Sequence, residues 1–218
     1  MNAALVLDFG GVISRTLFET HASSEAALGL APGSLAWRGP FAPETDPLWQ
    51  SMQLGVISER DYWLARTQEV GHMLGENWHQ MQTMVQRCRG NDIQAVLRPE
   101  ALLAIEAAKA MGAKLAVLSN ELDLFYGDGF SRRLPLLRNF DVIVDATYTG
   151  ILKPDPNAYL ACQQALGLEA QACVFVDDQP KNVRGALEVG WQAIELDVRD
   201  PSVAFSQALA LLTKIRDG

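Results

Sequence analysis

The chain has 218 residues, 49% hydrophobic and 20% charged, a balance that excludes a disordered or fibrous protein and leaves ample material for a buried core. Its 26 acidic residues outnumber 18 basic ones for a net charge of -8, and no stretch gathers Lys and Arg into a basic stripe, which argues against nucleic acid or an anionic membrane as partner. Cys88, Cys162 and Cys173 follow no metal-ligand spacing and make an odd set, so no disulfide framework is expected. With no basic start and no apolar run near the ~18 residues of a membrane span, the expected location is the cytoplasm.

In chain order, the first element is an apolar run over 4–8 that ends at Asp8. Like the later runs over 115–120, 142–145 and 173–178, it lacks in/out alternation, which suits strands buried on both faces. About 100 residues separate Asp8 from the second run, whereas a strand-helix-strand unit needs about 30. The segment over 14–96 holds Trp37, Trp49, Trp63 and Trp78, all three histidines and no convincing strand. Within it, 32–47 reads as a Pro/Gly-rich loop, Ser58 as the N-cap of a helix, and 76–88 as a second helix. The tryptophans and methionines there are expected to form that segment's own core.

The remaining chain alternates. The patterns predict helices over 99–111, 157–166, 181–189 and 202–215, with a short strand over 193–196; Asp155-Pro156 supplies an N-cap and a first-turn proline. Strands alternating with such helices predict an α/β fold: a Rossmann-like parallel sheet with helices on both faces, formed by 1–14 and 96–218, plus an all-helical cap over 15–95.

In an open parallel sheet, ligands bind beyond the carboxyl ends of the strands. This sequence delivers Asp8, Ser119, Asn120, Asp145, Asp177 and Asp178 there, with Lys153 shortly after the third strand. Singly, each acid reads as a turn or helix cap and Lys153 as a surface lysine. Together, carboxylates at one point repel one another unless a cation lies among them, and Mg²⁺ takes such hard oxygen ligands while keeping waters for a phosphate. Lys153 and the Ser119 hydroxyl would hold an anion's other oxygens. An aspartate beside a metal-bound phosphoryl group can act as a nucleophile, and no histidine lies on the sheet segments to serve as base.

The residues Val6-Leu7-Asp8-Phe9-Gly10-Gly11-Val12-Ile13, Val117-Leu118-Ser119-Asn120, Lys153-Pro154-Asp155-Pro156 and Val176-Asp177-Asp178 resemble, in order, the four motifs of the haloacid dehalogenase superfamily, and 15–95 resembles the helical cap inserted after its first strand. The resemblance implies a Mg²⁺-dependent hydrolase that removes phosphate from a small phosphorylated metabolite. Asp8 would be the nucleophile; Ser119, Asn120 and Lys153 would bind phosphate. Asp8, the carbonyl of Gly10, Asp177 and Asp178 would hold the metal, with Asp178 the direct ligand and Asp177 in support. Most phosphatases of the family carry a second aspartate, a general acid and base, where this chain has Gly10. That departure keeps two alternatives open: a 2-haloacid dehalogenase, and a non-catalytic phosphate-binding protein.

Overall fold

Five strands present the motif residues at one edge of a parallel sheet. They are β1 (Ala4–Leu7), β2 (Lys114–Ser119), β3 (Val142–Asp145), β4 (Cys173–Asp177) and β5 (Gln192–Glu195), in the order β3-β2-β1-β4-β5 with every neighbouring pair parallel. The structure, a computed structural model, describes residues 3–89 and 93–217; the expected domain spans run beyond it at 1, 2, 90–92 and 218. From β1 the chain adds β2 and β3 on one side, then returns to add β4 and β5 on the other. Strand order therefore reverses between β1 and β4, where Leu7 pairs with both Val117 and Val176, and Asp8 and Asp177 emerge next to each other.

Residues of β1 and β4 are fully buried, as an apolar run without alternation requires when helices cover both faces. β3 is different. It lies at the sheet edge and its Val142, Ile143 and Val144 are only half-buried, which corrects the expectation of two buried faces; a four-residue run looks the same in sequence at the centre or the edge.

The helices, in chain order, are α1 (His21–Leu28), α2 (Pro47–Gln53), α3 (Glu59–Met73), α4 (Met81–Arg89), α5 (Pro99–Ala110), α6 (Leu122–Tyr126), α7 (Phe130–Arg133), α8 (Ala146–Thr149), α9 (Pro156–Leu166), α10 (Pro180–Glu188) and α11 (Pro201–Asp217). On one sheet face Ala4, Val6, Ala116, Leu118, Cys173 and Phe175 pack with Ala158, Tyr159 and Cys162 of α9 and Ala186 of α10. The rings of Tyr159, Phe175 and Trp191 meet edge to face at 5.5 to 6.0 Å. The opposite face, on the alternate residues Leu5, Leu7, Leu115 and Val117, is covered by α5 and α11.

The chain divides into two compact units. The sheet and its helices form one, and residues Thr16–Val96 with Leu124–Tyr126 form the other. Among the described residues the second unit contains no strand. Its core is aromatic: Phe18, Trp37, Trp49, Tyr62, Trp63 and Trp78 are buried together with Met52, Met81 and Met84. A buried Asp46 organises it, accepting from the Trp49 backbone N–H at the start of α2, from the Tyr62 hydroxyl at 2.9 Å and from Arg66 at 2.5 Å. Ser58 and Asp61 close a capping box that starts α3. The helix expected over 76–88 begins only at Met81, because Glu76 bends back to accept from the Trp78 indole at 2.8 Å and the intervening residues stay irregular. Helices α1 and α2 had no clear signal in the sequence; short polar-rich turns of helix rest on tertiary burial more than on pattern.

Candidate active site

Asp8 is the first residue past β1, and its backbone N–H continues the ladder to the Val176 carbonyl at 3.0 Å. The chain then turns through Gly10 and Gly11. Only Gly11 needs to be glycine: its φ is +79°, and a Cβ there would lie 2.4 Å from an Asp178 carboxylate oxygen. Gly10 lies outside the left-handed region, and a Cβ built on it meets nothing within 4 Å. The Gly11 carbonyl accepts from the buried Arg98 guanidinium at 3.0 Å, which tethers the turn. Asp178 thus lies directly against the β1 turn because position 11 has no side chain.

Lys153 comes from a short loop, closed at its start by Gly150 in the left-handed conformation and at its end by Asp155, which caps α9 through the Asn157 N–H at 2.9 Å. The Lys153–Pro154 peptide is cis. Asn120 pins the loop from both ends of its amide: it donates to the Lys153 carbonyl at 3.0 Å and accepts from the Lys153 N–H at 2.7 Å. Asn120 thus clamps the Lys153 backbone. Gly185 on α10 allows the close approach behind the loop, since a Cβ there would press on Pro154 and the Tyr159 hydroxyl at 2.9 Å.

The Lys153 ammonium is almost wholly buried. It donates to Asp8 at 2.9 Å and to Asp177 at 2.6 Å, and lies 5.2 Å from the centre of the Phe175 ring. Burial alone would lower its pKa, but the charges of Asp177 and Asp8 and their hydrogen bonds outweigh it and raise the pKa above the ordinary lysine value, so the cation persists at neutral pH. Asp177 is fully buried and acts as an acceptor in each of its contacts: from Lys153, from the Gln179 N–H at 2.8 Å, and from the Asn182 amide at 3.1 and 3.2 Å.

One carboxylate oxygen each from Asp8, Asp177 and Asp178 lies within 4.8 Å of the others. The donors of this partly buried cluster are all hard oxygens, a set that fits a divalent cation such as Mg²⁺, which demands oxygen ligands.

The other strand-end residues divide. Ser119 is buried at the end of β2, where its hydroxyl accepts from the Glu121 N–H at 3.4 Å. Asp145 is structural: its carboxylate caps α8 through the Thr147 N–H and accepts from the Asp123 N–H at 2.8 Å. Arg98, Asn182 and Gly185 were not singled out from the sequence. A spacing of five from Asp177, placing Asn182 in the first turn of the following helix, is the one local signal that pointed to any of them. All three cysteines are buried and unbridged, and burial pushes their thiols up to about 11 for Cys88 and Cys173 and about 12 for Cys162, so a thiolate nucleophile has no place at neutral pH.

The chain is 37% identical over 107 residues to acyl-CoA dehydrogenase family member 10 of Mus musculus, covering 49% of this chain and 10% of that protein. It is 35% identical over 99 residues to a phosphatase of Mycobacterium tuberculosis, covering 45% of this chain and 46% of the relative. The chain thus spans less than half the length of either relative. The crystal structure of a HAD phosphatase from Thermococcus onnurineus shares the fold, with a TM-score of 0.55 over 89% of this chain and 86% of that one at 20% identity. Residues 3–190 match the haloacid dehalogenase-like hydrolases, and this protein belongs to that family.

Proposed function

We propose that the protein is a Mg²⁺-dependent phosphatase of small phosphorylated metabolites, working through a phosphoryl group carried on Asp8. The observation that carries this reading is the convergence of carboxylate oxygens of Asp8, Asp177 and Asp178 within 4.8 Å of one another, with the buried Lys153 ammonium held by Asp8 and Asp177. The mycobacterial relative's name, a phosphatase, agrees with it.

In this reading Asp8, Asp178 and the Gly10 carbonyl hold Mg²⁺, with Asp177 supporting the set through Lys153. Bound there, the ion offsets charge on the transferring phosphoryl group. Lys153 and the Ser119 hydroxyl bind the phosphoryl oxygens, and Asn120 keeps Lys153 in place. An Asp8 carboxylate oxygen attacks phosphorus: the new O–P bond forms as the ester P–O bond breaks, its electron pair leaving with the ester oxygen. Water then attacks the phosphorus of the aspartyl phosphate, releasing inorganic phosphate and the Asp8 carboxylate. The helical unit, Thr16–Val96, is proposed as the cap that selects the substrate.

The test is phosphate release from p-nitrophenyl phosphate with Mg²⁺ and with chelator, for wild type and Asp8→Asn. The expected result is Mg²⁺-dependent turnover that the amide abolishes. Halide release from 2-chloropropionate without added metal would establish a dehalogenase instead. Binding of phosphate with no turnover of any ester would leave a non-catalytic protein.

A further inference from the structure

The sequence makes the turn after β1 a loose one. Gly10 and Gly11 lack the side chains that narrow backbone choices, so they give up more conformational freedom on folding than other residues would. Part of what holds the turn comes from 87 residues away. Pro99 disfavours a helical backbone at the residue before it, and Arg98 is accordingly extended, at φ -80° and ψ 119°. Its N–H donates to the Ile13 carbonyl at 2.9 Å, Leu97 bridges to Ser14 in the antiparallel sense, and the Ser14 N–H closes the turn on the Phe9 carbonyl at 2.8 Å. The Arg98 side chain is buried and carries its guanidinium to the Gly11 carbonyl at 3.0 Å. All of these residues belong to the sheet unit. Burying a guanidinium costs stability unless its hydrogen bonds offset the loss of water. The bond to Gly11 is charge-assisted, the stronger kind, and Gly11 is the residue against which Asp178 lies: a Cβ there would meet the carboxylate at 2.4 Å.

Resting on the Mg²⁺-dependent phosphatase reading above, we propose that Arg98 is a positioning residue of the metal centre. By fixing the Gly11 carbonyl it sets the turn so that the Gly10 carbonyl and the carboxylates of Asp8 and Asp178 reach one ion. Asp8 begins the turn, the Gly10 carbonyl lies one peptide before the held one, and Asp178 packs on the Gly11 backbone, so a single grip acts on all three ligands. Groups that orient metal ligands from outside the coordination shell are worth ~10- to 100-fold in metal affinity. The direction of the effect separates positioning from charge. A positive group near the ion repels it, so Arg98 acting as a charge would tighten Mg²⁺ binding when removed, whereas Arg98 acting as a clamp weakens it when removed.

The experiment titrates Mg²⁺ by calorimetry into wild type, Arg98→Met, Arg98→Lys and Ala104→Gly, with denaturant unfolding of each. Ala104 is buried in α5, the helix that Arg98 leads into, and Ala104→Gly weakens that helix while leaving Arg98 in place. Arg98→Met should raise the Mg²⁺ Kd by ~10- to 100-fold. Arg98→Lys, which keeps the charge without the planar fork, should fall between Arg98→Met and wild type. Ala104→Gly should lose stability and keep the wild-type Kd. With p-nitrophenyl phosphate, the Arg98→Met defect should lie in the Mg²⁺ concentration for half-maximal rate and fade at saturating Mg²⁺. A wild-type Kd in Arg98→Met, or a tighter one, overturns the proposal: the first leaves Arg98 a support of the fold, the second a charge. If Arg98→Met does not fold, hydrogen exchange of wild type decides through the reciprocal effect. Mg²⁺ should then slow exchange of the Arg98 and Ser14 amides, and unchanged protection of both overturns the proposal. Absence of Mg²⁺ binding to wild type refutes the underlying metal reading and the proposal with it, a result distinct from any of these.

Discussion

Two adjacent glycines in the β1 turn separate the requirements of backbone and site. Replacing Gly11 with alanine imposes two costs. The residue sits at φ +79°, where a Cβ costs roughly 1–2 kcal/mol in the left-handed region. The new methyl would also lie 2.4 Å from an Asp178 oxygen and 2.7 Å from its Cγ, so reaching ordinary contact near 3.4 Å moves that carboxylate by about 1 Å. The main chain cannot yield easily, because Arg98 grips the Gly11 carbonyl at 3.0 Å. Moving the far end of a side chain is cheap in stability, so Gly11→Ala should lose about 1–2 kcal/mol in denaturant unfolding. The site should suffer more than the fold: Mg²⁺ needs near-ideal octahedral ligation at 2.0–2.1 Å, and a ligand displaced by about 1 Å should weaken it by tenfold or more. Gly10→Ala, with open space and permissive φ, should unfold within about 0.5 kcal/mol of wild type. Denaturant titration of both variants and calorimetric Mg²⁺ titration of Gly11→Ala are the assays. Equal stability of the two variants, with Mg²⁺ affinity intact in Gly11→Ala, would refute the assignment of Asp178 to the metal and of Gly11 to its approach.

Two further variants probe the charges. Lys153→Met leaves Asp8 and the fully buried Asp177 without their cation and should cost about 3–5 kcal/mol in denaturant unfolding, besides removing turnover; a loss below 1 kcal/mol would contradict the buried ion-pair account. Because the folded pKa of Lys153 is raised, its stabilisation is complete below the ~10.4 of a free lysine and is lost only as pH rises through the higher folded value, so wild-type stability should show no Lys153-linked decline from pH 7 to 9. In the helical unit, His21 is buried against Trp37 with neither ring nitrogen bonded, and burial, reinforced by Arg38, lowers its pKa to about 4. The unfolded state takes up a proton near pH 6.5 and the folded state only near 4, so stability should fall between those values, by up to roughly 3 kcal/mol. His21→Leu should flatten that acid limb; identical pH slopes in the two proteins would show that His21 does not titrate abnormally.

The strands and the longer helices were legible because their physics is local or nearly so: apolar runs for β1 and β4, and an Asp155-Pro156 start for α9 whose cap the structure contains. The edge position of β3 was not, since neighbour order in a sheet leaves no mark on four residues. At the site, residue types pointed to the right end of the sheet but not to the division of labour. Asn120 engages the Lys153 backbone 33 residues away, a pairing no local pattern encodes. Asp145 matched the other strand-end acids and turned out to be a helix cap. Gly10 and Gly11 are the same residue type in the sequence; the backbone angle at Gly11 and the position of Asp178 distinguish them. Asn182 and Gly185 hold Asp177 and the Lys153 loop through tertiary contacts that exist once α10 has packed.

The central claim is that Asp8 carries the phosphoryl group, and the most direct measurement is acid quench of the enzyme in steady state with p-nitrophenyl phosphate and Mg²⁺, followed by peptide mapping of the acid-stable acyl phosphate. The account predicts one phosphorylated peptide, containing Asp8, present with Mg²⁺ and absent in Asp8→Asn. Turnover with no covalent phosphoprotein at any quench time, or phosphate mapped to another residue, would contradict it.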